Sequence, residues 1–212
     1  MPIPTYRSML RTGAALALIA LSGCATMDRE ECLTVDWRTV GYEDGVAGYS
    51  GDRIGEHRKA CAKHGVTPDL TAYQAGRQEG LREFCTPSNG FRLGSQGGSY
   101  SGMCPSDLDP AFSDAFHDGH QLYVLESRLS NVNYEINAKR GSLHNAESDI
   151  VSRSALAISS TATGEERAQA VVDVKNLGER VGRLKNEIRQ LEDERVHCER
   201  DLEDYRATLQ LP

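Results

Sequence analysis

The clearest order in the chain is a stripe of apolar residues stepping by three and four through its C-terminal half. It runs Leu122, Leu125, Leu129, Val132, Ile136, Lys139, Leu143, Ala146 and Ile150, with Lys139 the one charged member. After a break it returns as Val174, Leu177, Val181, Leu184, Ile188, Leu191, Arg195, Cys198, Leu202, Tyr205 and Leu209. Such steps keep one helix face apolar, and sustained heptads of this kind form the seam between packed helices. Asp109-Pro110 starts the first helix, and Ser159 to Gly164 is the turn between the two. Thr163 opens a Thr-x-x-Glu capping box that closes at Glu166. Two matched helices joined by a short turn predict an antiparallel hairpin, folded near residue 161, with Cys198 beside Leu125. The competing arrangement is an extended coil that pairs in parallel with a second copy. Lys139, Arg153 and Arg195 stand in the seam, where charge sets register or choice of partner.

The pattern before residue 110 is different. An aromatic, two residues and a glycine recur as Tyr42–Gly45, Tyr73–Gly76, Phe91–Gly94 and Phe116–Gly119, and two copies extend to Gly48 and Gly80. At helical spacing these groups share one face. Glycine inside a helix costs about 1 kcal/mol against alanine, so its use there points to close approach of another backbone or ring. One helix is predicted with Thr67 as N-cap, Pro68 at its first position, and Leu70, Tyr73, Leu81 and Phe84 on one side. A second runs from Asp52 to His64 and stops at Gly65. The glycine-rich stretch 86–105 reads as an ordered loop, with a flexible linker as the alternative. The fold class is therefore mostly α: a small disulfide-stabilised, Gly/aromatic-rich helical module over 24–110, followed by a coiled-coil hairpin over 111–212 with its turn near 158–164.

The N-terminus carries a third pattern. Arg7 and Arg11 precede an apolar run from Thr12 to Leu21, too short to cross a bilayer, which takes roughly 20 apolar residues. The run ends in Leu21-Ser22-Gly23-Cys24, which resembles the lipobox of bacterial lipoproteins at all four positions. This implies that residues 1–23 are an export signal and that Cys24 becomes the lipidated first residue. Stable attachment takes two or more acyl chains. By analogy with enterobacterial lipoproteins, where Asp after the lipidated cysteine retains the protein in the inner membrane, Ala25 implies the outer membrane, facing the periplasm.

Composition narrows the functional classes. The net charge is -7 and basic residues are dispersed, so nucleic-acid binding has no electrostatic support. Aromatics are only 6% of the chain, too few for one large core, and cysteine makes up part of the deficit. In an oxidising compartment Cys32, Cys61, Cys85 and Cys104 are disulfide candidates with three possible pairings. Cys32–Cys61 and Cys85–Cys104 are favoured because the sequence between each pair reads as a local loop or helix return. Cys198 is left over.

Candidate chemistry is sparse. The glycine-rich stretch lacks the flanking strand and the Lys-Ser/Thr of a phosphate-binding loop, and no nucleophile elbow or His-Glu-x-x-His occurs. His57, Cys61 and His64 share a helix face at metal-ligand spacing, and the hairpin could bring His197 and Cys198 toward His117 and His120. In both groups oxidation of the cysteine or simple exposure of the histidines is the better reading, so no metal and no cofactor is expected.

The order of cysteines and aromatic-glycine pairs resembles an uncharacterised family of bacterial envelope lipoproteins, domain of unknown function 2799. The matching residues are the lipobox, Cys32, Asp36-Trp37, Gly41-Tyr42-x-x-Gly45, and Tyr73-Gln-Ala-Gly76-Arg77-x-x-Gly80-Leu81-x-x-Phe84-Cys85. Asn89-Gly90-Phe91-x-x-Gly94 and Tyr100-x-Gly-x-Cys104-Pro105 complete the likeness, which spans roughly 24–125. It implies an envelope location and brings no reaction. The expected role is structural or protein-interacting, not enzymatic, through a coiled-coil arm that binds another envelope protein or itself. The alternative is a module for a small ligand or cell-wall glycan, with Trp37, Tyr42, Tyr73, Phe91 and Tyr100 lining a groove.

Overall fold

The computed structural model describes residues 27–209; Cys24 and the export signal lie outside the described residues. Seven helices follow in order, with no strand among the described residues: α1 (Arg29–Thr34), α2 (Trp37–Val46), α3 (Arg53–Ala62), α4 (Leu70–Phe84), α5 (Pro87–Ser95), α6 (Asp109–Ala157) and α7 (Gly164–Thr208). Local chemistry sets most of their starts. Asp28 and Glu31 form a capping box on α1, Asp36 caps α2, Asp69 caps α4, and Thr86 caps α5 with Pro87 behind it.

The glycines explain the packing of the first half. α2 crosses α4 so closely that a Cβ on Gly41 or Gly45 would run into the carbonyls of Tyr73 or Arg77. In return, a Cβ on Gly76 or Gly80 would meet the carbonyls of Arg38 or Tyr42. Gly48, at φ 71°, ends the contact beneath the ring of Phe84. The same device recurs where α5 crosses α6. Gly90 and Gly94 face the carbonyls of Phe112 and Phe116, Gly119 faces that of Phe91, and Gly97, also at φ 71°, lies beneath Tyr123. The structure thus repeats itself, with Gly41, Gly45 and Gly48 answered by Gly90, Gly94 and Gly97, and Tyr73, Gly80 and Phe84 by Phe112, Gly119 and Tyr123. Each repeat is cysteine, helix, linker, cysteine, helix, and each closes its own disulfide: Cys32–Cys61 and Cys85–Cys104.

Two expectations are corrected here. The stretch 86–105 is not loop throughout, because its glycines serve the crossing and Thr86, Pro87 and Asn89 begin α5. α4 starts two residues later than predicted, since Asp69 and not Thr67 accepts the free N–H of Ala72. Near residue 110 the module runs directly into the hairpin. α6 is continuous for 49 residues, and its first turns place Phe112 and Phe116 against Leu81, Phe84, Cys85 and Cys104.

Beyond the crossing, α6 and α7 form the antiparallel hairpin, each helix about 70 Å long at 1.5 Å per residue. Val132, Ile136 and Cys198 fill its seam with Leu129 and Leu191, and Ala146, Ala170, Leu184, Ile188 and Leu202 are buried along it. Opposite charges flank the seam: Lys139–Glu187 at 2.7 Å, Arg140–Glu192 at 2.6 Å, Lys185–Glu147 at 3.0 Å and Arg206–Glu126 at 2.6 Å. Exposed pairs of this kind are each worth about 0–1 kcal/mol, but in series they oppose a slip of one helix past the other. This register sets Cys198 against Leu129 and Val132, about one turn from the Leu125 that a fold point at 161 implied. The Thr163–Glu166 capping box starts α7, and Arg167 donates back to the Ala162 carbonyl at 2.6 Å to close the turn.

Candidate functional site

The first repeat has a longer linker than the second, and that linker carries α3. α3 is tied down by Cys61 and turns His57 inward between α2 and α4. There His57 is 4% exposed, and its Nε2 lies 2.9 Å from Oδ2 of Asp44, itself 7% exposed. The Tyr73 hydroxyl donates to the same carboxylate oxygen at 2.7 Å. Arg53 brings its Nε to 3.9 Å from the other oxygen and lays its guanidinium over the Tyr49 ring. Trp37 and Tyr73 wall the imidazole at ring distances of 6.5 and 6.2 Å. Burial, followed by the hydrogen bond to Asp44, pushes the Tyr73 hydroxyl well above its ordinary pKa, so it stays a donor.

Buried polar groups are normally satisfied, and this cluster holds two of the four unpartnered buried side-chain nitrogens among the described residues, Arg53 Nε and His57 Nδ1. Beside the cluster lies a cleft of about 400 Å³, lined by Glu31, Glu43, Asp44, Arg53 and His57 with Met27, Val35 and Val40. Such a constellation joins a carboxylate to an imidazole by a hydrogen bond and can offer further hydrogen bonds to a small polar group. The nearest sulfur, Cys61, is committed to its disulfide.

The second repeat shows that the crossing does not need this chemistry. Leu93 takes the place of Asp44 and Phe112 that of Tyr73, and the space is filled by Tyr100, packed on Phe112 at 4.8 Å. The Tyr100 hydroxyl binds Asp109 and accepts the N–H of Cys104, and burial followed by the Asp109 bond pushes its pKa up to about 12. At the position of Asp44 one repeat has Leu93 and the other a buried carboxylate network.

Other candidates disperse. Trp37 and Tyr73 belong to the first core and Tyr100 to the second. Tyr42 is half-buried with its hydroxyl on Glu83, and Phe91 is half-buried on α5, so the five aromatics line no common groove. His57, Cys61 and His64 form no ligand set, because Cys61 is oxidised, His57 faces Asp44 and His64 is exposed. His117 and His120 stay about three turns along α6 from the level of His197, as the hairpin register joins Tyr205 to the Asp118 carbonyl and Arg128 to Glu194. No group of three metal-ligating side chains occurs among the described residues. Cys24 lies outside them.

Residues 36–121 match the model of a family described as a protein of unknown function, DUF2799. The DUF2799 match opens at the N-cap of α2 and closes two residues past Gly119. It therefore spans both glycine crossings, the Asp44 cluster and the second disulfide, and ends where the free hairpin begins. No curated protein and no solved structure matches the chain.

Proposed function

We propose that the protein is a lipid-anchored component of the bacterial envelope, acylated at Cys24 after removal of residues 1–23, that presents the α6–α7 arm to another envelope protein. The observation that carries this reading is the far end of the arm. Val151 on α6 and Ile158 at its C-cap are 70% and 86% exposed, and Val171 and Val172 in the first turns of α7 are 60% and 49% exposed. Tyr123, Val124, Tyr134 and Val196 are exposed singly along the rest of the arm, so four of its eight exposed large apolar side chains lie at the outer end, where a docking surface would need them. The role is non-catalytic in this reading. No described helix is long and apolar enough to cross a membrane.

Two measurements test it. In intact cells a photo-cross-linker at Val171 should capture one defined envelope protein, and Ile158→Asp should abolish that product without loss of helicity. No defined product from Val171, while a cross-linker at Tyr134 in mid-arm captures one, would exclude the tip as the docking site. Separately, Cys24→Ser should leave unprocessed precursor without acyl mass, and normal processing of that variant would defeat the anchoring. A second reading, binding of a small ligand, is supported by the unpartnered His57 Nδ1 on the Asp44 cleft. Soluble cell-wall fragments should then shift the His57 ring resonances, and no shift in the presence of excess fragments removes this reading.

A further inference from the structure

We propose that the outward face of α3 is a docking surface for anionic phospholipid, which lays the first repeat flat against the membrane. The inference rests on the anchoring at Cys24 proposed above. Met27 is buried 7% exposed with its sulfur 4.0 Å from that of Cys61, so the folded body begins three residues after the acylated cysteine. Three residues of fully extended chain reach about 11 Å at most, roughly one helix diameter. The first repeat therefore has no tether on which to stand away from the bilayer, and the surface around α3 is held within reach of headgroups.

Charge selects the face. α3 turns His57, Ala60 and Cys61 inward and Arg58, Lys59, Ala62 and Lys63 outward. From His57 to Pro68 there is no acidic residue, in a chain whose net charge is -7. None of Arg58, Lys59 and Lys63 is in a salt bridge among the described residues, whereas Arg53, on the flank, is occupied by Glu56 and Asp44. α1 opposes this in part, since Asp28, Glu30 and Glu31 outweigh Arg29 and their capping box cancels no charge, so the attraction has to come from the acid-free stretch of α3 and the turn after it. Shape agrees with charge. After α3 the chain turns at Gly65, φ 72°, and leaves a cleft of about 420 Å³ lined by Arg58, Lys59, Ala62, Gly65, Val66 and Thr67. Two cations together with Ala62 and Val66 in one cleft suit a phosphodiester joined to an apolar tail. Basic residues held near an anionic surface each favour contact by about fivefold, and the attraction fades within a Debye length.

The test uses the acylated chain purified from membranes and reconstituted into phosphatidylcholine vesicles with or without phosphatidylglycerol. Lysines are modified with a water-soluble amine reagent and quantified by mass spectrometry. Modification of Lys59 and Lys63 should fall about tenfold or more in the phosphatidylglycerol vesicles at low salt and recover at high salt. Lys175 and Lys185 on the arm should not change. Arg58→Glu, an exposed substitution that leaves the fold intact, should restore modification of Lys59 and Lys63. Equal modification with and without phosphatidylglycerol, or protection that survives both high salt and Arg58→Glu, overturns the proposal. The intact mass of the same sample reports the acyl group separately, so absence of that mass refutes the anchoring, while an acylated chain with unprotected lysines refutes only the docking surface.

Discussion

At the scale of single residues, glycine does two opposite things in this chain, and the difference is measurable. Gly80 sits where its missing side chain lets the Tyr42 carbonyl approach α4, while Gly178, inside α7, has nothing within 4 Å of where a Cβ would stand. Gly80→Ala forces the crossing apart and should destabilise by about 1–3 kcal/mol, the ordinary range for overpacking. Gly178→Ala relieves an exposed helix interior and should stabilise by about 1 kcal/mol. Urea unfolding followed by circular dichroism reads both, and equal signs would contradict the crossing. The buried tyrosines make a second residue-scale prediction. Tyr73 and Tyr100 both have folded pKa values raised above the unfolded value near 10, chiefly by burial. Below pH 10 folded and unfolded chains hold these protons alike and the contribution is intact. As pH rises past 10 the unfolded chain releases them first, so stability falls with rising pH. Urea midpoints in a Cys198→Ala background, which avoids thiol exchange at alkaline pH, should drop between pH 9 and pH 11. Tyr100→Phe should flatten part of that slope. A midpoint independent of pH across this window would mean that neither hydroxyl is sequestered.

At the scale of elements, the sequence was legible where periodicity alone decides structure and opaque where structure depends on what lies across the interface. The α6–α7 hairpin follows from its heptads, because a long apolar stripe has one good place to go. α5 was hidden, since a segment with Gly90, Gly94, Gly97 and Gly98 has turn-like propensity, and only the approach of α6 turns two of those glycines into crossing residues. The Asp44 cluster was hidden for a similar reason. Asp44, His57 and Tyr73 lie on three helices separated by 13 and 29 positions from the carboxylate, and no motif links them in sequence. Their meeting depends on the Cys32–Cys61 disulfide, because α3 has few helix contacts of its own beyond α1. The two disulfides close spans of 29 and 19 residues, each worth about 3 kcal/mol in the chain-entropy account. Removing either as a double alanine variant should therefore cost similar global stability. The local consequences should differ. Cys32→Ala with Cys61→Ala should collapse amide-exchange protection in α3 and free His57, whereas Cys85→Ala with Cys104→Ala should leave α3 protected. Unchanged protection of α3 in the first variant would show that the Asp44–His57 bond holds the helix without the disulfide.

At the scale of the whole molecule, the remaining question is whether the arm closes on itself or on a second copy, and Cys198 decides it. Its side chain is 1% exposed, packed with Val132 and Ile136 of α6. No other cysteine lies on that seam, so in the intramolecular hairpin Cys198 is a small buried hydrophobe with no sulfur to meet. In a parallel two-chain coil the same heptad position would bring two copies of Cys198 face to face, within reach of an interchain bond. The cross-hairpin ion pairs favour the first arrangement. Arg140–Glu192 and Lys185–Glu147 join residues far apart in sequence and near in an antiparallel hairpin, and a parallel pairing separates each of them by tens of ångströms. The mature chain should therefore run as a monomer on non-reducing gels after mild oxidation, with Cys198 modified by thiol reagents only on unfolding. Cys198→Ala should change neither result, at a cost in stability of about 1–2 kcal/mol for the lost packing. A dominant dimer that disappears in Cys198→Ala would show that the arm pairs between chains. The partner of its exposed tip would then be sought in a second copy before any other envelope protein.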